Sequence, residues 1–211
     1  MTQQAAVDAL VEQVLARLTV EMEASGRHVH LSRNEVEYLF GPGYRLTQAK
    51  PLSQPGQFAC AERVTLFGPK GEFQNVAVLG PERGEAQAEI SLSDAVKLGV
   101  RPPVRLSGDT NGTPGFGLRY GSRELRLDHG LIVAKRHVHM TPGDARRFGV
   151  ADKQTVCLRT FTSRPLVFDD VVVRVSDKFA TYIHLDHDEA NACGFQKGDR
   201  AVLLTGGGNG R

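Results

Sequence analysis

Two short stretches of this chain carry four of its seven histidines at strand spacing: Arg27-His28-Val29-His30 and Arg136-His137-Val138-His139. On a strand, residues i and i+2 point to the same face, so each His-x-His aims two imidazoles at one point. Neutral imidazole is a favoured zinc ligand, and three protein ligands with one open position make a catalytic zinc site. Each pair therefore needs one more ligand. Such a centre polarises carbonyls and stabilises developing negative charge. One His-x-His is more often an ordinary strand pair than a metal site, and it is the second identical copy that shifts the balance toward metal. Imidazole also suits copper, iron and nickel, so residue type alone leaves the ion open.

The missing ligands come from a wider internal repeat. Arg27-His-Val-His-Leu-Ser32 matches Arg136-His-Val-His-Met-Thr141. Each copy runs into a short helix, with Ser32-x-x-Glu35 and Thr141-x-x-Asp144 as capping-box-like starts and Gly41 or Gly149 near the stop. A weaker repeat follows. Glu89-Ile-Ser-Leu-Ser-Asp94-Ala95, closing at Leu98-Gly99, resembles His184-Leu-Asp-His-Asp-Glu189-Ala190, closing at Cys193-Gly194. In that alignment Glu89 lies over His184 and Arg83 over Lys178. The expected ligand sets are His28/His30/Glu89 and His137/His139/His184. His187, at a helix start, and His129, in the turn Asp128-His129-Gly130, are expected to stay outside them. Arg83, in Gly80-Pro81-Glu82-Arg83-Gly84, is expected in a loop. A guanidinium there can grip phosphate or carboxylate with its fork, or be a plain surface arginine. Walker-type phosphate loops and Gly-x-Ser-x-Gly elbows are absent.

The elements that must position these groups are mostly strands. Leu18, Val20, Met22 and Ala24 alternate with polar residues. Short apolar runs follow at 63–67, 75–79, 131–134, 155–158, 171–175 and 201–204, separated by turn signals such as Gly41-Pro42-Gly43 and Asn111-Gly112-Thr113-Pro114-Gly115. Many short strands with few long helical patterns predict a mainly β, α+β chain of barrels or sandwiches with small helices. The exception is the start. Val7, Leu10, Val11, Val14 and Leu18 share one helical face, predicting an amphipathic helix over 3–18. It serves either as a helix docked on the domain or a second subunit, or as an address peptide for a partner. The tail from Gly206 to Arg211 is expected to be disordered.

Composition narrows the function classes. The 211 residues suffice for one large domain or two small ones. Hydrophobic residues make up 40% and charged ones 24%, and no apolar run is long enough to span a bilayer, so a membrane partner is not expected. A net charge of +2 without a basic block does not suggest nucleic acid, and fits small anionic ligands. Cys60, Cys157 and Cys193 are widely spaced and form no Cys-x-x-Cys pair, so they read as reduced thiols. With an opening Met-Thr-Gln-Gln that is no signal sequence, they set the expectation of a cytosolic location.

Taken together, Arg27-His-Val-His-Leu-Ser, Lys50-Pro-Leu-Ser-Gln-Pro-Gly-Gln, Phe67-Gly-Pro-Lys-Gly, Val78-Leu-Gly-Pro-Glu-Arg83, Arg136-His-Val-His-Met-Thr-Pro and His184-Leu-Asp-x-Asp-Glu-Ala-Asn191-Ala resemble the phosphate propanoyltransferase family, phosphotransacylases associated with bacterial microcompartments. The resemblance runs from about residue 18 to residue 204. One departure is Gly26, where asparagine is expected. The resemblance implies reversible conversion of acyl-CoA and phosphate to acyl phosphate and CoA, with a propionyl or similar short chain. It implies two Zn2+ per chain, on His28, His30 and Glu89 and on His137, His139 and His184, with Arg83 binding phosphate. Asn191, in the helix after His184, is then either a substrate-orienting residue or a helix-surface one. The implied fold is two small β-barrels with the active site between them, one from 18–26 plus 135–204 and the other from 27–134, preceded by a helical segment at 1–17 and followed by a flexible tail at 205–211. A homo-oligomer is implied, as is a place in the cytoplasm or inside a microcompartment reached through residues 3–18. Two alternatives share the ligands: a zinc-dependent thioesterase or other hydrolase, and a non-catalytic protein stapled by zinc.

Overall fold

The computed structural model describes residues 3–205. The tail expected at 205–211 falls outside them beyond Thr205, as do the first two residues of the segment at 1–17. Among the described residues the chain forms fifteen strands and five helices, as its short alternating runs and turn signals require. The apolar runs noted above lie within the strands Phe58–Phe67, Glu72–Arg83, Leu131–Ala134, Thr155–Phe161, Val167–Val175 and Arg200–Leu204.

One compact unit gathers the segments up to Ala24, Arg136–Leu185 and from Glu189 onward. Its six strands close into a barrel in the order Val20–Ser25, Tyr182–Asp186, His137–Met140, Val167–Val175, Thr155–Phe161 and Arg200–Leu204. The last strand returns to the first through Val20↔Ala201 and Glu21↔Arg200. Alternation decides which side chains fill the barrel: Val20 and Met22 point in while Glu21 and Glu23 stay half-buried. Val138, Met140, Leu158, Val171, Val173 and Ile183 complete the interior. Leu158 has no exposed surface, so Leu158→Ala is expected to cost about 2–5 kcal/mol. The check is a lower urea midpoint at unchanged slope.

The second unit comprises Ser25–Lys135 and Asp186–Asp188. Its sheet runs Val104–Arg105, Leu131–Ala134, Gln87–Ile90, His28–Ser32, Glu72–Arg83, Phe58–Phe67, Phe116–Tyr120 and Arg123–Leu127, with Gln48–Pro51 paired to Phe58–Phe67. Here the expectation of a second barrel needs correcting, because this sheet is open. Closure needs long, staggered edge strands that can meet, and the edge strand Val104–Arg105 has only two residues. The core of the unit is nonetheless continuous through Val29, Leu31, Leu66, Val78, Leu118 and Leu131.

The helix Gln3–Leu18 forms as its periodicity predicts, but Val7, Leu10, Val11, Val14 and Leu18 are all exposed. Its junction with the barrel is tied down. The guanidinium of Arg200 donates to the Thr19 hydroxyl at 2.6 Å and to the Thr19 carbonyl at 3.0 Å.

Candidate metal centres

Register explains how three ligands meet in each unit. In the open-sheet unit, His28–Ser32 lies parallel to Glu72–Arg83 on one side and antiparallel to Gln87–Ile90 on the other. On the antiparallel side His28 sits opposite Glu89 and His30 opposite Gln87. Residues directly opposite share a face, with Cβ atoms about 4.5–5.5 Å apart, so Glu89 joins the two imidazoles. In the barrel unit, His137–Met140 is parallel to Val167–Val175 and antiparallel to Tyr182–Asp186, and His137 sits opposite His184. The same register thus occurs twice. Both expected trios are brought together, each with its ligand atoms within 4.8 Å of one another.

The first trio is buried, with His28, His30 and Glu89 exposed by 8%, 2% and 7%. Glu89 Oε1 lies 3.6 Å from His28 Nε2 and 3.7 Å from His30 Nε2. His28 Nδ1 donates to the Gly26 carbonyl at 2.9 Å, which selects the tautomer that leaves Nε2 facing Glu89. Burial, the largest single influence, pushes the His30 imidazole down to about 4, so it is neutral near pH 7, the form that ligates metal. Burial also acts to lower His28, but the charge and hydrogen bond of Glu89 and the Gly26 carbonyl outweigh it and its pKa is raised. Burial would raise Glu89; the His28 charge and the two imidazole contacts instead hold it well below the usual carboxylate range. His30 Nδ1 is buried with no hydrogen-bond partner. The two imidazole Nε2 atoms that face the ionised Glu89 carboxylate suit a divalent cation.

The second trio is all-imidazole and less enclosed: His139 is buried, while His137 and His184 are partly exposed. His139 Nδ1 and His184 Nε2 stand 3.2 Å apart. That is close to the about 3.3–3.4 Å edge of a tetrahedron with zinc–nitrogen bonds of about 2.0–2.1 Å. The His137 and His184 rings stack at 4.9 Å between centroids, and Phe179 stacks on His139 at 4.0 Å, fixing its plane. Glu23 Oε2 lies 3.7 Å from His184 Nδ1, a carboxylate behind a candidate ligand.

The arginine of each motif has a use that pattern reading missed. Arg27 forms a two-point pair with Asp94 at 2.8 and 3.0 Å, and Arg136 donates to Glu189 at 2.6 Å. Asp94 and Glu189 stand five residues after Glu89 and His184. Each arginine therefore ties the histidine strand to the helix that follows the third ligand. Ser32 and Glu35 form a full capping box. Thr141 caps its helix through its hydroxyl, but Asp144 accepts the hydroxyls of Thr141 and Thr181 instead of the Thr141 backbone amide.

Arg83 is the last residue of the strand Glu72–Arg83, not a loop residue. That strand continues through Gly80-Pro81 by shifting register against His28–Ser32, between His30↔Leu79 and Ser32↔Arg83. Strands tolerate proline at such irregularities. Arg83 Nη1 donates to Ser107 Oγ at 2.9 Å. Gln87 Nε2 donates to the same hydroxyl at 3.0 Å and to Glu89 Oε1 at 2.6 Å. Gln87 was legible as a same-face neighbour two residues before Glu89; Ser107 carried no signal. Asn191 is exposed on the helix His187–Cys193. His187 is exposed too, and His129 pairs with Asp128 and Glu85 at 2.6 Å each, apart from both trios. The three cysteines form no disulfide, and burial pushes the Cys60 thiol up to about 11.

The family model for phosphate propanoyltransferase matches residues 21–196. Among curated proteins, a phosphate propanoyltransferase of Enterococcus faecalis is 59% identical over 201 residues, covering 92% of this chain and 95% of its own. One from Clostridioides difficile is 56% identical over 199 residues, covering 92% and 95%. One from Thermotoga maritima is 54% identical over 181 residues, covering 85% and 86%. A chain with the histidine motif in both halves, matched over nearly its full length at these identities, belongs to the phosphate propanoyltransferase family.

Proposed function

We propose that this chain transfers a propionyl or similar short acyl group reversibly between coenzyme A and inorganic phosphate, with a zinc ion held by each trio. The observation that carries the reading is the repeated register that gathers His28, His30 and Glu89, and then His137, His139 and His184, within a chain of this family.

An oxygen of hydrogen phosphate attacks the thioester carbonyl carbon. The carbon–oxygen bond forms, the carbon–sulfur bond breaks, and the phosphate proton ends on the CoA sulfur. Zinc held by such a trio would supply Lewis acidity and stabilisation of developing negative charge. Arg83 presents its fork to phosphate, held in orientation by Ser107. Asn191 offers an amide to the CoA substrate. Direct transfer is supported because phosphate is a competent nucleophile, while the thiols of Cys60, Cys157 and Cys193 are all pushed above their ordinary pKa and so away from the thiolate form. Holding both reactants together then supplies much of the rate.

The same reading takes 18–26 plus 135–204 and 27–134 as the two functional halves, a division supported by the compact units. It gives the exposed apolar face of Gln3–Leu18 to a second subunit or to a microcompartment partner, and places the protein in the cytoplasm or inside that compartment. The test is release of CoA from propionyl-CoA by purified protein of known zinc content. Release that depends on phosphate is expected. Release indifferent to phosphate would make the protein a thioesterase, and none at full zinc occupancy would make the metals structural.

A further inference from the structure

Gln87 is 2% exposed, on a strand buried along its whole length. It occupies the fourth corner of the first trio: His28 faces Glu89 across the strands, and His30 faces Gln87. All of its amide is used. Nε2 donates to Glu89 Oε1 at 2.6 Å and to Ser107 Oγ at 3.0 Å, while Oε1 accepts from the Gly108 amide at 2.7 Å. A flipped amide would set its oxygen against the Glu89 carboxylate and its NH2 against the Gly108 N–H, so this orientation is the one the surroundings enforce.

Two further facts give this side chain a purpose beyond filling space. The carboxylate oxygen it contacts is the one that faces both imidazoles, at 3.6 and 3.7 Å. An ionised oxygen has room for one donor and one metal. The hydroxyl it contacts is also the acceptor for Arg83 at 2.9 Å. One buried amide thus spans the distance from a candidate metal ligand to the candidate phosphate-binding arginine. The corresponding corner of the barrel trio, opposite His139, is Tyr182, which has no amide to play this part.

We propose that Gln87 is a positioning residue that holds Glu89 in place for the metal and, through Ser107, sets the direction of Arg83. It rests on the transferase reading above. Coupling of this kind predicts two effects from one substitution. Gln87→Leu keeps the volume and removes both donors. Zinc at the first trio is expected to leave for a competing chelator at about 10–100-fold lower chelator concentration, while the barrel equivalent stays at its parental value. The Michaelis constant for phosphate is expected to rise while that for propionyl-CoA stays unchanged. Ser107→Ala separates the two arms: phosphate affinity is expected to fall, with chelator resistance intact.

The experiment is chelator competition with zinc counted per chain, beside steady-state kinetics in both substrates, on parent, Gln87→Leu, Gln87→Asn and Ser107→Ala proteins. Gln87→Asn is too short to bridge and stands in if the leucine variant does not fold. A folded Gln87 variant with parental zinc retention overturns the proposal, as does loss of zinc with an unchanged phosphate constant. Failure of the transferase reading shows separately, as phosphate-independent behaviour of the parent.

Discussion

His28→Ala protein is expected to bind one zinc fewer per chain than the parent and to release CoA in the phosphate-dependent assay at least about 10²-fold more slowly. An open zinc site needs three protein ligands, and this substitution leaves His30 and Glu89 alone. Metal-derived charge stabilisation is worth several kcal/mol, and about 1.4 kcal/mol corresponds to tenfold in rate. His137→Ala is expected to remove the other equivalent with a loss of similar order. All ligands of each trio belong to one compact unit, so neither substitution should empty the other site. The check is zinc per chain by elemental analysis beside the rate. Thermal unfolding read on the same samples separates the alternative. Metals that only staple the fold would make the variants unfold early, with a parent already inactive.

For Arg83→Ala, the Michaelis constant for phosphate is expected to rise about 10–10²-fold, with little change in that for propionyl-CoA. A hydrogen bond to a charged group contributes about 1.5–3 kcal/mol, and every 1.4 kcal/mol is tenfold in affinity. Arg83→Lys should recover only part, because an ammonium restores the charge without the planar two-point grip. Arg83 is half-buried, and its Nη1 is engaged with Ser107, so its loss leaves the sheet core untouched. Equal Michaelis constants for phosphate in parent and Arg83→Ala protein would remove Arg83 from the phosphate site.

The candidate ligands were legible because they obey the simplest rule of strand geometry. His28 and His30 are two apart, as are His137 and His139, and the internal repeat set Glu89 and His184 at equivalent places before any pairing was known. What stayed hidden depends on contacts between strands. Arg27 meets Asp94 and Arg136 meets Glu189 only when the histidine strand and the following helix are laid side by side. Arg83 reads as a loop residue because Gly-Pro usually breaks a strand, whereas here the strand absorbs both residues by shifting register. The open second sheet follows from an edge strand of two residues, too short to leave a periodicity. Asp144 departed from its expected capping bond because Thr181, 37 residues away, offers a hydroxyl.

The Gly26 carbonyl carries one more consequence. The acceptor that selects the His28 tautomer is a main-chain oxygen, which every amino acid possesses. A Cβ at position 26 would meet no atom within 4 Å. A residue other than glycine at position 26 is therefore expected to leave this carbonyl, and the proton it holds on His28 Nδ1, where they are.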